Sequence, residues 1–134
     1  MHKVRIHPRY FDMDTFGHVN NARYLTYYEE ARVSLMNELV GWSYDWSKKG
    51  VILARVEVDF KNPVFFRDEI YVYIHCSAVG TKSFTLDYKM VRIKDSKEEI
   101  VSTCRSVMVM YDYETQKSVA VPEEWRRKLL KNKN

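Results

Sequence analysis

Tyr24-Leu25-Thr26-Tyr27-Tyr28-Glu29-Glu30-Ala31-Arg32-Val33-Ser34-Leu35-Met36-Asn37-Glu38-Leu39 carries its apolar residues at helical spacing. Tyr24, Tyr27, Tyr28, Ala31, Leu35 and Leu39 recur every three or four positions and make one stripe, while Glu29, Glu30, Arg32, Asn37 and Glu38 fall off it. Asn20 or Asn21 can accept a hydrogen bond from the N–H groups of the first turn, and Gly41 can close the far end. The stretch predicts one long helix with a single face to bury.

Beyond Gly41 the periodicity changes from helical to alternating. After a Trp-bearing loop, Ile52, Ala54, Val56, Val58 and Phe60 alternate with Leu53, Arg55, Glu57 and Asp59 until Asn62-Pro63 breaks the run. Ile70, Val72, Ile74 and Cys76 alternate with Tyr71, Tyr73 and His75 as far as Gly80, and Phe84, Leu86, Tyr88 and Met90 form a third run. A fourth spans Ile100 to Tyr113, with Val101, Thr103, Arg105, Val107 and Val109 on one face. Runs joined by short polar turns predict an antiparallel meander. Upstream, Lys3 to Tyr10 is extended and interrupted by Pro8, which suits an edge strand. Pro122, ahead of Glu123 and Glu124, opens a short C-terminal helix at its first position. One long helix and a sheet too wide to leave bare give an α+β layer architecture: a curled five-stranded antiparallel sheet wrapped around the helix.

The chain has 134 residues, 46% hydrophobic and 30% charged, a composition that excludes a disordered or low-complexity protein. The length suits a single domain over residues 1–134. Aromatics reach 14% with ten Tyr, more than a minimal core needs, so some are expected to line a cavity or a subunit contact. No apolar run approaches a membrane span and the N-terminus lacks a signal-peptide core, so a soluble cytoplasmic protein is expected. The net charge of +4 is mild and its densest part is the tail from Arg126 to Lys133, a solvated terminal helix rather than a nucleic-acid-binding face. A modest positive field also favours an anionic small molecule. Cys76 and Cys104 fall in strand runs without a CxxC spacing and are read as buried thiols. His2, His7 and His75 lack ligand spacing, so no metal site is expected.

The chemistry concentrates in Tyr10-Phe11-Asp12-Met13-Asp14-Thr15-Phe16-Gly17-His18-Val19-Asn20-Asn21-Ala22-Arg23-Tyr24. Two carboxylates, a Gly, a His and paired Asn stand directly before the long helix. A helix N-terminus offers unpaired N–H groups and a partial positive charge, which suits a developing oxyanion. A carboxylate placed just ahead of it can attack a carbonyl or deprotonate a water. An isolated Asp-x-Asp more often caps a turn; the whole string points to chemistry. No HExxH, Gly-rich phosphate loop or Ser-centred nucleophile elbow is present.

Asp12-Met13-Asp14-Thr15-Phe16-Gly17-His18-Val19-Asn20-Asn21, followed by Tyr24, Tyr28 and Ala31-Arg32, resembles the hotdog-fold acyl-CoA thioesterases of the 4-hydroxybenzoyl-CoA thioesterase type. Val58-Asp59-Phe60-Lys61-Asn62-Pro63-Val64 with Asp68, and Gly80 with Ser83-Phe84, are similar to the family's later signatures. The resemblance implies hydrolysis of an acyl-CoA to a free acid and coenzyme A. Asp14 would be the nucleophile or general base, and the Asn21 N–H the oxyanion donor. The His18-Val19-Asn20-Asn21 string also resembles plant-type acyl-carrier-protein thioesterases, whose Asp, Asn and His place Asp14 and His18 in the first and third roles; Phe16 stands where the Asn would be. His18 is therefore either a catalytic partner or a loop hydrogen bond. The same resemblance implies a homodimer or homotetramer with the site at the dimer seam, an acyl tunnel lined by Tyr24 and Tyr28 unless these are plain core, and no cofactor beyond the coenzyme A of the substrate. Lys82 is the first choice for the nucleotide phosphates, ahead of Arg55 and Arg105, unless each is an ordinary surface charge. An acyl-carrier-protein thioesterase and a non-catalytic acyl-binding module are the alternatives; keeping Asp14 beside a helix N-terminus argues against the second.

Overall fold

The computed structural model describes residues 1–131; Lys133 of the basic tail lies outside the described residues. Asn20 adopts extended backbone angles and its Oδ1 accepts the Ala22 N–H at 2.9 Å, which starts α1 (Asn21–Val40). Gly41 ends it at φ 83° and ψ 161°, a region open essentially to glycine, with its N–H donating to Asn37 O. The face that α1 buries is Tyr24, Tyr27, Tyr28, Ala31, Leu35 and Met36, while Leu39 is only partly buried against the core.

Around α1 stand β1 (His2–Ile6), β2 (Lys49–Phe60), β3 (Glu69–Val79), β4 (Ser83–Lys94) and β5 (Lys97–Asp112), all antiparallel in the spatial order β1-β3-β4-β5-β2. A two-residue strand that the periodicity did not announce, β6 (Lys117–Ser118), pairs with the end of β5. α2 (Glu123–Lys131) buries Trp125 and Leu129, and its Lys128 Nζ donates to Leu39 O. Pro122 stands one residue ahead of α2, and its carbonyl accepts the first helical hydrogen bond from the Arg126 N–H. The architecture is the α+β hotdog arrangement, one long helix laid across one antiparallel sheet.

Two irregularities decide which side chains face the helix. On β2 the pairing with β5 skips Ala54: Leu53 faces Met108 and Arg55 faces Val107. This bulge shifts the alternation by one residue, so Val51 and Leu53 before it share the inner face with Val56, Val58 and Phe60 after it. A straight strand continuing from Val51 and Leu53 would have turned Arg55, Glu57 and Asp59 inward. On β5 the second shift leaves Val101 between Ile100, paired with Val91, and Ser102, paired with Met90. The buried face of β5 is therefore Ser102, Cys104, Ser106, Met108 and Met110, with Val101 also buried. Thr103, Arg105, Val107 and Val109 share the outer face.

The core carries hydroxyls that hydrogen bond to one another. Tyr28 OH donates to Ser102 Oγ at 2.6 Å, and Ser102 Oγ donates to Asp59 O at 2.8 Å. Tyr88 OH shares a 2.6 Å hydrogen bond with Ser106 Oγ and accepts from Arg32 Nη1 at 3.1 Å. Each buried hydroxyl thus keeps a partner, without which burial would cost about 1–3 kcal/mol.

Candidate active site

The segment between β1 and α1 folds back on itself as a narrow hairpin. Asp12 O accepts the Asn20 N–H at 2.9 Å, Met13 bridges Val19, and the Asp14 N–H donates to His18 O at 2.9 Å. A tight turn from Asp14 to Gly17 closes the tip, with the Gly17 N–H on Asp14 O at 3.2 Å and Gly17 at φ 87°. The hairpin lies against the 60s loop through the Val19 N–H, which donates to Val64 O at 2.8 Å.

The two aspartates have opposite surroundings. Asp12 is fully buried and accepts from the Arg9 N–H (2.9 Å), the Arg9 side chain (3.0 and 3.3 Å) and Tyr27 OH (2.6 Å). Burial alone would push its carboxyl up. The hydrogen bonds from Arg9 and Tyr27 outweigh that and hold it below the usual carboxylate range. Burial, then the bond to Asp12, push the Tyr27 hydroxyl well above its ordinary value. Asp14 is partly exposed: among the described residues Oδ1 accepts only the Phe16 N–H at 2.8 Å, and Oδ2 stands 3.6 Å from His18 Nδ1. Of the two, Asp14 keeps lone pairs free for a substrate.

At the start of α1 the Ala22 N–H is taken by Asn20 Oδ1 and the Arg23 N–H by Asn20 O. Among the described residues the Asn21 N–H has no acceptor, so it is the open donor at the positive end of the helix. A cleft of about 190 Å³ opens there, lined by His18, Asn21, Tyr24, Phe60, Lys61, Asn62 and Pro63. His18 Nδ1 lies 3.4 Å from Val19 O, and its ring stacks on Phe16 at 6.2 Å between centroids. Tyr24 packs edge-on against Phe60 at 5.0 Å and donates to Asn62 O at 3.3 Å. Further along α1 and β2 lies a separate groove of about 380 Å³ whose walls include Arg32, Val33, Met36, Trp46, Leu53 and Met108.

The structure thus groups His18, Asn21 and Tyr24 around the cleft and holds Asp14 3.6 Å from His18. Tyr28 contributes to the seam but spends its hydroxyl on Ser102, deep in the core. Lys82 sits in the β3–β4 turn at the other end of the sheet; β4 alone runs from Ser83 to Met90, roughly 23 Å of strand, before it reaches the level of the cleft. Arg55 pairs with Glu57 at 3.3 Å and Arg105 with Asp87 at 2.7 Å, both on the outer face. Lys61, at the mouth of the cleft and in no ion pair among the described residues, is a cation that the sequence reading passed over. Its sequence signal is its place in the stretch Val58 to Val64, beside Asn62-Pro63. Among the described residues no cluster of three or more His, Cys, Asp or Glu is placed to hold a metal ion.

The hotdog arrangement, one long helix laid across one antiparallel sheet, is shared with solved thioesterases. The chain belongs to the thioesterase-like superfamily, whose family model matches residues 8–129. It is similar to protein YsmA of Bacillus subtilis (strain 168), 30% identical over 126 residues that cover 94% of this chain and 83% of that one. The long-chain acyl-CoA thioesterase FadM of Escherichia coli (strain K12) is 26% identical over 130 residues, 95% of this chain and 96% of FadM. Among solved structures, a thioesterase from Thermus thermophilus complexed with coenzyme A and Zn superposes with a TM-score of 0.83 at 26% identity, covering 98% of this chain and 92% of that one.

Proposed function

We propose that the protein hydrolyses acyl-CoA thioesters to a free carboxylic acid and coenzyme A, with Asp14 as the reacting carboxylate. The observation that carries this reading is the pairing of a partly exposed Asp14 carboxylate with the unclaimed Asn21 N–H on the same hairpin–helix junction. A thioester carbonyl gains little resonance from sulfur, so one carboxylate and one oxyanion donor suffice. Asp14 either attacks the carbonyl carbon or takes a proton from the attacking water; in both routes negative charge grows on the carbonyl oxygen, where the Asn21 N–H and the helix dipole stabilise it. His18 orients Asp14 from 3.6 Å. The acyl group runs from Tyr24 and Phe60 into the α1–β2 seam, and no cofactor is needed beyond the coenzyme A of the substrate. Likeness to FadM and to the Thermus structure with bound coenzyme A supports an acyl-CoA over a carrier-protein substrate.

The working unit is a homodimer, itself able to pair into a tetramer. β2 is a twelve-residue edge strand, and it leaves Ile52, Leu53, Val56 and Phe60 exposed beside exposed Leu25 and Val33 of α1. An open edge of that length and character is a template for a second strand. Two-fold pairing of β2 with its copy is antiparallel and lays the opposite end of the second sheet, with its Lys82, at the Asp14 end of the seam. Two buried thiols without a disulfide fit the reducing cytoplasm.

The test is release of free coenzyme A thiol from short, long and aromatic acyl-CoAs by wild type and Asp14→Asn. Turnover by wild type, lost in a folded Asp14→Asn protein, is the expected result. Equal turnover by both refutes the role of Asp14. No turnover of any acyl-CoA by wild type moves the carrier-protein substrate forward.

A further inference from the structure

Asp12 is the one fully buried charged side chain among the described residues, and hydrolysis by Asp14 and Asn21 leaves it without a task. A buried ionised carboxylate is weak evidence for stability, because its desolvation offsets much of what its partners supply. What a carboxylate supplies here is geometry. Oδ2 accepts the Arg9 N–H and Tyr27 OH, and Oδ1 accepts Arg9 Nη2 and Nε, with Arg23 Nε 3.7 Å away. These donors come from the chain before the hairpin and from the first two turns of α1. The backbone of Asp12 closes the neck of the hairpin on Asn20, the residue that caps α1. Two residues further along that paired backbone stands Asp14.

We propose that Asp12 is a positioning residue, which fixes the Asp14 hairpin to the first turns of α1 and so sets the separation between the reacting carboxylate and the Asn21 N–H. The inference rests on the roles given above to Asp14 and Asn21. An amide at position 12 would accept at one atom only and would turn its NH2 toward a donor, Arg9 or Tyr27, so Asp12→Asn keeps the volume and loses the clamp.

The experiment compares wild type, Asp12→Asn, Tyr27→Phe and Asp14→Asn by thiol release from an acyl-CoA that wild type turns over, and by amide hydrogen exchange. For Asp12→Asn the expected result is a fall of roughly 10- to 100-fold in kcat with KM within about threefold. Tyr27→Phe, which removes one donor and keeps Arg9, should lose less, several-fold in kcat. Exchange at the Asp14 and Val19 N–H groups should quicken at least about tenfold in Asp12→Asn, with the β3–β4 ladder unchanged. A kcat within about twofold of wild type in Asp12→Asn, or a loss confined to KM, overturns the proposal. So does unchanged exchange in the hairpin, whatever the activity. If Asp12→Asn does not fold, Tyr27→Phe decides: wild-type kcat and exchange in that variant overturn the clamp. Full activity of Asp14→Asn is a different result, since it refutes the reading of Asp14 while hairpin exchange still reports on the clamp.

Discussion

Asp12 and Asp14 are two residues apart and chemically identical, yet one is clamped by Arg9 and Tyr27 and the other is partly exposed beside His18. The difference sets a pH dependence of folding. The Asp12 carboxyl is held below the usual range in the folded state, so its contribution is fully present above the unfolded pKa of about 3.9 and is lost as pH falls through the folded value. Urea midpoints of wild type should therefore fall below about pH 4, and the fall should be shallower in Asp12→Asn. His18 stands 3.6 Å from Asp14 and 3.4 Å from Val19 O, and its removal separates the two contacts. If it orients Asp14, His18→Ala loses at least about tenfold in kcat/KM, or ~1.4 kcal/mol of transition-state stabilisation; a smaller loss assigns it to ordering the loop. Cys104 shows that a nucleophile can be present and idle. Burial pushes its thiol up to about 12, so it should resist alkylation at neutral pH until the protein unfolds, as a thiol-reagent time course will show.

At the scale of elements, α1 depends on its ends as much as on its stripe. A Cβ at Gly41 would meet no atom within 4 Å, so Gly41→Ala isolates backbone strain at φ 83°. The expected loss is about 1–3 kcal/mol in chemical denaturation, with the active site unaffected. β2 depends on its bulge. By skipping Ala54 the strand keeps Val51 and Leu53 inward and still turns Arg55, Glu57 and Asp59 outward, where Glu57 lies opposite Arg105. Alternation read from the sequence joined Ile52 and Ala54 to Val56, Val58 and Phe60. The bulge breaks that set, because the phase of a strand can change at one unpaired residue without any mark in its composition.

For the whole molecule, one flank of α1 is closed and the other is open. β1, β3 and α2 cover one side, while the side toward β2 keeps the 380 Å³ groove and an unpaired sheet edge. The proposed dimer closes that side and completes the acyl site. Val56→Asp puts a charge at the middle of the seam and should yield a monomer by light scattering, with activity lost together with the dimer. A monomer that retains full turnover would show that one protomer holds the entire site.

Periodicity settled the helix, the strand order along the chain and the α+β layer, because amphipathic elements write their buried faces into consecutive residues. The motif from Asp12 to Asn21 was likewise legible as a turn leading into a helix start, since it is local: the carboxylate, the turn glycine and the helix cap lie within ten residues. Three things were decided only by folding. Which aspartate is free depended on Tyr27, one element away, and on Arg9 folding back. Where the cations lie depended on the sheet, which within one protomer carries Lys82 to the far end and leaves Lys61 at the cleft. Which residues of β2 and β5 face the helix depended on two bulges set by pairing with neighbouring strands. Each is a contact between segments distant in the chain, and no pattern of consecutive residues encodes it.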